Sequence, residues 1–289
     1  MIRPRRSVLY MPGSNARAIE KARTLAVDGV ILDLEDAVAP DAKETARQQV
    51  AEAVKAGGFG QREVFIRVNA LDTPWCMDDL AAAAHAAPDA ILVPKISSPD
   101  QLETIGQRLL DMGTHPRTRV WAMMETPLAI INAYPIATAA QDSETRLAGF
   151  VLGTNDLAKE TRSRQVPGRA PMVPWLMTCI AAARTCGLDI LDGVYNDIGN
   201  APGFMEECRQ ARDMGFDGKT LVHPAQIEPC NDIFSPSAEE IAEARKMIAA
   251  FELPENKNKG VVRIDGRMVE RMHAEMAKRT VAIAEAIGR

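Results

Sequence analysis

Short apolar runs alternate with longer amphipathic stretches along almost the whole chain. Runs of four or five residues rich in Val, Ile and Leu predict strands at Ser7–Met11, Val30–Leu34, Val64–Val68, Ala90–Val93, Val120–Met124, Gly149–Leu152, Ile190–Val194 and Thr220–His223. They are continuously apolar rather than alternating, as parallel strands covered on both faces are. Between them, Asp41–Lys55, Pro99–Met112, Pro171–Thr185 and Pro202–Met214 read as helices. Each has proline at or beside its first turn and glycine just past its last, the usual asymmetry of helix ends. Eight strands with intervening helices predict an α/β fold of the TIM-type (β/α)8 barrel class. The rival, an open doubly wound sheet, lacks a Gly-x-Gly-x-x-Gly after the first strand. The end of the chain breaks the pattern: a helix at Ala238–Phe251, a polar break from Pro254 to Gly260, an extended Val261–Asp265 and a long helix at Met268–Ile287. The expected division is a barrel over 1–253 and a C-terminal lid and helix over 254–289. Such a tail packs on the barrel, caps its mouth or reaches a neighbouring subunit.

Composition narrows the classes. The 289 residues are 46% hydrophobic and 25% charged, enough for a large core. A net charge of −5 argues against nucleic acid as the main partner. No apolar run reaches the ~18 residues of a membrane span, and the apolar stretch after the basic start is too short for a secretory signal. A cytoplasmic location is the default. The five cysteines include no Cys-x-x-Cys and read as free thiols. The four histidines show no metal-ligand spacing.

In a barrel of this type the active site lies at the C-terminal ends of the strands. Six of the eight expected strand ends carry polar groups: Asp33-Leu34-Glu35-Asp36, Arg67 with Asn69, Pro94-Lys95, Glu125, Gly153-Thr154-Asn155-Asp156, and His223. Carboxylates converging on one rim repel unless protonated or bridged by a cation. Glu125 and Asp156 end successive strands and are the candidate metal pair. Two carboxylates plus waters suit Mg²⁺, with Mn²⁺ as the substitute. Arg67 and Lys95 are candidates for holding an anionic substrate. The amides of the Gly153-Thr154-Asn155 turn are candidates for a carboxylate. The first loop offers Ser14 or Asn15 as a helix cap, and the helix after it carries Arg17 and Lys21, a candidate phosphate-binding edge.

Seven segments together resemble a known group: Ser7–Gly13, Asp33–Val38, Ile66–Asn69, Val93–Lys95, Met124–Pro127, Gly153–Leu157 and Gly218–Pro224. The chain is similar over nearly its whole length to the citrate lyase beta-subunit-like group of the HpcH/HpaI aldolase superfamily, which includes malyl-CoA and citramalyl-CoA lyases. Val262–Met268 resembles that group's C-terminal lid motif. The resemblance implies Mg²⁺ on Glu125 and Asp156, an enolate held by Arg67, and Glu35 and Asp36 supporting the metal's waters. It further implies a homotrimer or hexamer in which Asp265 of a neighbouring subunit moves a proton, and coenzyme A phosphates at Arg17 and Lys21. Asn200 stands where relatives often have an acid.

The activity implied is a Mg²⁺-dependent CoA-ester lyase that cleaves or forms a 3-hydroxyacyl-CoA through an enolate, giving an acyl-CoA and a 2-oxoacid such as glyoxylate or pyruvate. The alternative is a (3S)-malyl-CoA thioesterase. Two further readings are a citryl-carrier-protein lyase subunit and a non-catalytic acyl-CoA-binding barrel.

Overall fold

A computed structural model describes residues 2–288. Eight parallel strands close into a barrel in chain order: β1 (Ser7–Pro12), β2 (Gly29–Asp33), β3 (Glu63–Arg67), β4 (Ala90–Val93), β5 (Arg119–Met124), β6 (Leu147–Leu152), β7 (Asp189–Asp192) and β8 (Gly218–Leu221). Pairing of β8 with β1 closes the ring, with Val8 opposite Thr220. The TIM-type expectation holds.

Most strand positions agree with the apolar pattern to within a residue or two. Six of the eight strands begin one or two residues before the expected position, and for β8, at Gly218, a charge hides the start. That charge is Lys219, wholly buried on β8 with its ammonium donating to Asp192 at 2.7 Å, to the Gly193 carbonyl at 2.6 Å and to Glu207 at 2.7 Å. A charge satisfied in this way sits inside a strand without breaking it.

The lumen is filled by one contiguous cluster from seven strands: Val8, Ile31, Phe65, Ala90 and Leu92, Trp121 and Met123, Val151, and Leu191. Phe65 and Trp121 meet edge to face, with centroids 5.4 Å apart. Gly149 makes room for the indole, since a Cβ there would fall 2.6 Å from the Trp121 ring. Below this layer Arg5 plugs the N-terminal end. Its guanidinium lies 5.1 Å from the Trp121 ring and pairs with Glu63, at 2.9 Å for one contact, and with Asp189.

Local signals explain the surrounding helices. Asn15, one of the two expected caps, accepts from the Ala18 amide at 3.1 Å and starts Ala16–Ala22. Ser98 and Gln101 form a reciprocal capping box ahead of Pro99–Asp111, and Ser237 and Glu240 do the same ahead of Ala238–Glu252.

The chain divides into two compact units, one spanning Arg5–Asn231 and one made of Asp232 onward with the residues before Arg5. This boundary precedes the 253/254 division expected from the polar break. Helix Ala238–Glu252 belongs with the tail, because its Phe251 shares a small core with Val262, Val269 and Ala274. Within that unit, the expected helix Met268–Ile287 begins later, at Arg271. Residues 267–270 instead form β10 (Arg267–Glu270), paired antiparallel with β9 (Val261–Ile264). Asp265 and Gly266 make the turn, both at positive φ (49° and 82°), as a two-residue hairpin requires. Among the described residues no helix is long and apolar enough to cross a membrane.

Candidate active site

β2 and β3 run in register, so Asp33 and Arg67 sit side by side where the two strands end. Both are buried, Asp33 at 1% and Arg67 at 7% exposure. Arg67 donates from Nε and Nη2 to the two oxygens of Asp33, each at 2.7 Å, a bidentate clamp. Its guanidinium also lies 4.9 Å from the Tyr10 ring centroid. Asp33 receives two more hydrogen bonds, from the amides of Glu35 at 2.9 Å and Ala37 at 3.1 Å. Burial works to raise the Asp33 carboxyl, but Arg67 and these donors outweigh it and hold it below the usual carboxylate range. The sequence places Asp33 at the rim without a role and does not single out Tyr10. The signal for Asp33 was its strand-end position, one step of two along β2 from the lumen residue Ile31.

The third guanidinium nitrogen, Nη1, faces outward along the rim. It lies 2.8 Å from Glu35 Oε2, 3.7 Å from Asp36 and 3.8 Å from the Met123 sulfur. Glu35 is buried, whereas Asp36 is exposed. Burial first, and then the neighbouring charges of Asp36 and Asp33, push the Glu35 carboxyl up to about 7 against the opposing pull of Arg67.

Glu125 follows β5 and is 1% exposed. One oxygen accepts from the Lys95 peptide N–H at 2.8 Å. Lys95 adopts a left-handed backbone, φ 56°, which points its amide at the carboxylate. Its side chain is exposed, and the surrounding carboxylates Glu35, Asp156 and Glu125 raise its ammonium despite partial burial. Burial, then Glu35, and then Asp156 push the Glu125 carboxyl up to about 8. Gly153 leaves the space Glu125 occupies, since a Cβ there would fall 2.3 Å from Glu125 Oε2.

Asp156 lies in the first turn of helix Thr154–Thr161, whose N-terminus has no side-chain cap. The Gly153 N–H donates to the Met124 carbonyl at 3.2 Å. The amides at the start of the helix therefore fall to Thr154 and Asn155, the other two residues of the turn, where an incoming carboxylate finds donors and the positive end of the helix dipole. The Asn155 side chain is tied to Asn196, at 2.7 Å for one bond, and to Gln165 at 2.9 Å. Arg17 and Lys21 are exposed on Ala16–Ala22. Asp265 stands at the tip of the β9–β10 hairpin in the other unit, where its carboxylate pairs with Lys246.

Among the described residues no three His, Cys, Asp or Glu side chains are gathered as a metal cage. The donors present are two carboxylates, one of them raised first by its burial and then by its neighbours' negative charge. Such a set fits a hard cation that keeps most of its water, as Mg²⁺ does, and not zinc.

The profile of one family, described as HpcH/HpaI aldolase/citrate lyase, matches residues 6–224. The chain belongs to this family. It is 49% identical over 284 residues to a (3S)-malyl-CoA thioesterase of Cereibacter sphaeroides, covering 98% of this chain and 96% of that one. It is 33% identical over 291 residues to the citrate lyase subunit beta of Escherichia coli K12, covering 99% and 95%. Among solved structures it resembles protein CitE of Mycobacterium tuberculosis in complex with magnesium, acetoacetate and coenzyme A. That likeness has a TM-score of 0.76 and 30% identity over 96% of this chain and 98% of that one. The family expected from the seven segments is therefore the right one.

Proposed function

We propose that the protein is a Mg²⁺-dependent enzyme acting on a malyl-CoA-type 3-hydroxyacyl thioester, and that its net reaction is hydrolysis to the hydroxyacid and free coenzyme A. The observation that carries the reading is the imbalance at the C-terminal rim. Arg67 is clamped by Asp33 and keeps only Nη1, beside Glu35, facing the rim, while Glu125 and Asp156 remain as a pair of acids for a cation. The choice of hydrolysis rests on the 49% identity to the (3S)-malyl-CoA thioesterase, against 33% to the citrate lyase subunit.

The chain's residues divide the work as follows. Glu125 and Asp156 would hold Mg²⁺, which when bound would supply Lewis acidity to the hydroxyacid part of the substrate. The Thr154 and Asn155 amides receive the terminal carboxylate. Arg67, held rigid by Asp33 and Tyr10, presents Nη1 to the thioester oxygen as charge builds there. Glu35, buried beside that nitrogen, takes a proton from water as the water oxygen bonds to the carbonyl carbon. The carbon–sulfur bond then breaks and the thiolate of coenzyme A takes up the proton. Lys95 balances the carboxylates and steers the anionic acid. Arg17 and Lys21 hold the phosphates of coenzyme A.

The second reading, carbon–carbon cleavage to acetyl-CoA and glyoxylate, is supported by the tail. Asp265 is held out at a hairpin tip, where a lid would carry an acid into the site of a neighbouring copy in a homotrimer or hexamer. Incubation with (3S)-malyl-CoA and Mg²⁺ separates the two. Malate and free thiol in equal amounts are expected. Glyoxylate with acetyl-CoA would replace hydrolysis by the lyase, and neither product would leave the carrier-protein and binding-only readings. On the lyase reading, Asp265→Asn lowers kcat while KM and melting temperature hold. An unchanged kcat removes Asp265 from the chemistry.

A further inference from the structure

The loop that carries Glu35 is held by a lysine to which the reaction gives no role. Lys43 is the first residue of helix Lys43–Ala56 and is 6% exposed. Its ammonium donates to the Leu34 carbonyl, the Glu35 carbonyl and Asn69 Oδ1, each at 2.7 Å. An ammonium has three donors, so this one has none left for a ligand. The Trp75 ring lies against it, with the centroid 5.2 Å away. A chain of polar groups fixes the ammonium in turn. Asn69 donates from Nδ2 to the Leu34 carbonyl at 2.9 Å and to Asp79 Oδ2 at 2.6 Å, and its amide donates to the same Asp79 oxygen at 3.0 Å. Asp79, wholly buried on helix Cys76–Ala86, accepts from Arg47 Nε at 2.7 Å. Lys43 and Arg47 stand one turn apart on the same helix, which therefore holds both ends of the chain.

Stability alone does not call for a lysine at this place. Burial pulls the ammonium below its ordinary range, against the favourable charges of Asp33, Asp79 and Glu35. Its three acceptors are neutral, and neither carbonyl depends on it. The Leu34 oxygen also accepts from Asn69, and the Glu35 oxygen from the Val38 amide at 3.1 Å. A methionine would fill the space without desolvating a charge. What the ammonium adds is a tie between the peptide before Glu35 and the peptide after it.

Each peptide is a rigid plane, so fixing both sets the direction of the Cα–Cβ bond between them. Asp33 fixes the N–H of the same residue at 2.9 Å. The side chain is thereby sent to Arg67, with Oε2 2.8 Å from Nη1. That contact is an ion pair without the alignment of a hydrogen bond, so the carboxylate takes its aim from the backbone. We propose that Lys43 is a positioning residue for the reaction: by holding the carbonyls of Leu34 and Glu35, its ammonium keeps the Glu35 carboxylate beside Arg67 Nη1. This rests on the reading of Glu35 as the group that takes the proton. The groups read as binding the acid, at Glu125 and Thr154–Asp156, belong to other strand ends, so the loss of Lys43 falls on kcat and spares KM.

The test is steady-state kinetics of the full chain with (3S)-malyl-CoA at saturating Mg²⁺, on Glu35→Gln, Lys43→Met and the double variant, with circular dichroism and thermal melting on each. Glu35→Gln is expected to lower kcat roughly a hundredfold or more. Lys43→Met is expected to lower kcat roughly tenfold or more, with KM within about twofold. The double variant is expected to be no slower than Glu35→Gln, because Lys43 acts only through that side chain. Where Lys43→Met does not fold, Lys43→Gln, which keeps a donor, takes its place in the same comparison. A normal kcat for the folded Lys43 variant, beside a slow Glu35→Gln, overturns the proposal and leaves the reading of Glu35 standing. So does a change in KM in place of kcat, or a double variant slowed by the product of the two single losses. A normal kcat for Glu35→Gln overturns the reading of Glu35 itself, and the proposal with it.

Discussion

The two ends of the barrel carry the same motif with opposite outcomes. At each end an arginine lies over an aromatic ring and reaches more than one carboxylate: Arg5 over Trp121 with Glu63 and Asp189, Arg67 over Tyr10 with Asp33, Glu35 and, at 3.7 Å, Asp36. At the lower end every acid of the cluster touches its arginine. At the upper end the acids outnumber those the arginine reaches, and Glu125 is left with a peptide N–H as its donor. The lower cluster locks the barrel's floor. The upper one stores negative charge that a cation and an anionic substrate can discharge together. Conservation of geometry between the ends thus hides a difference in charge, and that difference distinguishes stability from chemistry.

The largest test removes the unmatched acids. Glu125→Ala or Asp156→Ala abolishes Mg²⁺-dependent turnover while the fold persists, read by steady-state kinetics at saturating Mg²⁺ and by circular dichroism. Near-normal activity at high Mg²⁺ would end the metal assignment.

Next come the two arginines. Arg67→Lys loses the two-point clamp on Asp33 and is expected to cost on the order of 10²-fold in kcat. Arg5→Ala removes the guanidinium from the buried Glu63 and is expected to cost about 3 kcal/mol of stability with kcat unchanged in the folded fraction. Denaturant melts and kinetics on both variants would break the comparison if the effects were exchanged.

A smaller effect follows from pH. Glu35 and Glu125 are raised in the fold to about 7 and about 8 from ordinary values of 4.5. Without metal, their contribution to stability is complete below pH 4.5 and is lost as pH rises through 7 to 8. A cation reverses that loss, so the gain in melting temperature on adding Mg²⁺ grows from pH 6 to 9. A gain that is flat across that range contradicts the burial of these two acids. The smallest effect is at the first helix. Arg17→Ala with Lys21→Ala raises KM for a coenzyme A thioester roughly three- to tenfold and leaves kcat alone, since exposed ion pairs are worth little each. An unchanged KM would clear that helix of a role.

Much of this was legible along the chain, and the gaps have physical causes. Apolar runs such as Val30–Leu34 announce buried strands because nothing but burial requires them. The rim acids Glu125 and Asp156 followed from strand order alone. The apolar run places Asp33 at the rim but gives it no partner; only the register with Arg67 shows that it faces the guanidinium. Lys219 escaped because its three acceptors come from β7, the residue after it, and a helix. The tail hairpin was the avoidable miss, since Ile264-Asp265-Gly266-Arg267 carries the Asp-Gly signature of a two-residue turn.

The grip on Glu125 comes from the peptide nitrogen of Lys95, not from a side chain. Every amino acid except proline carries that donor, and glycine or asparagine would tolerate the left-handed backbone at least as well. The side chain at position 95 is therefore not needed to hold Glu125 and is left to balance the charges around it, while the carboxylate its amide steadies stays where it is. An acid anchored by main chain lets one barrel exchange substrates without rebuilding the centre that works on them.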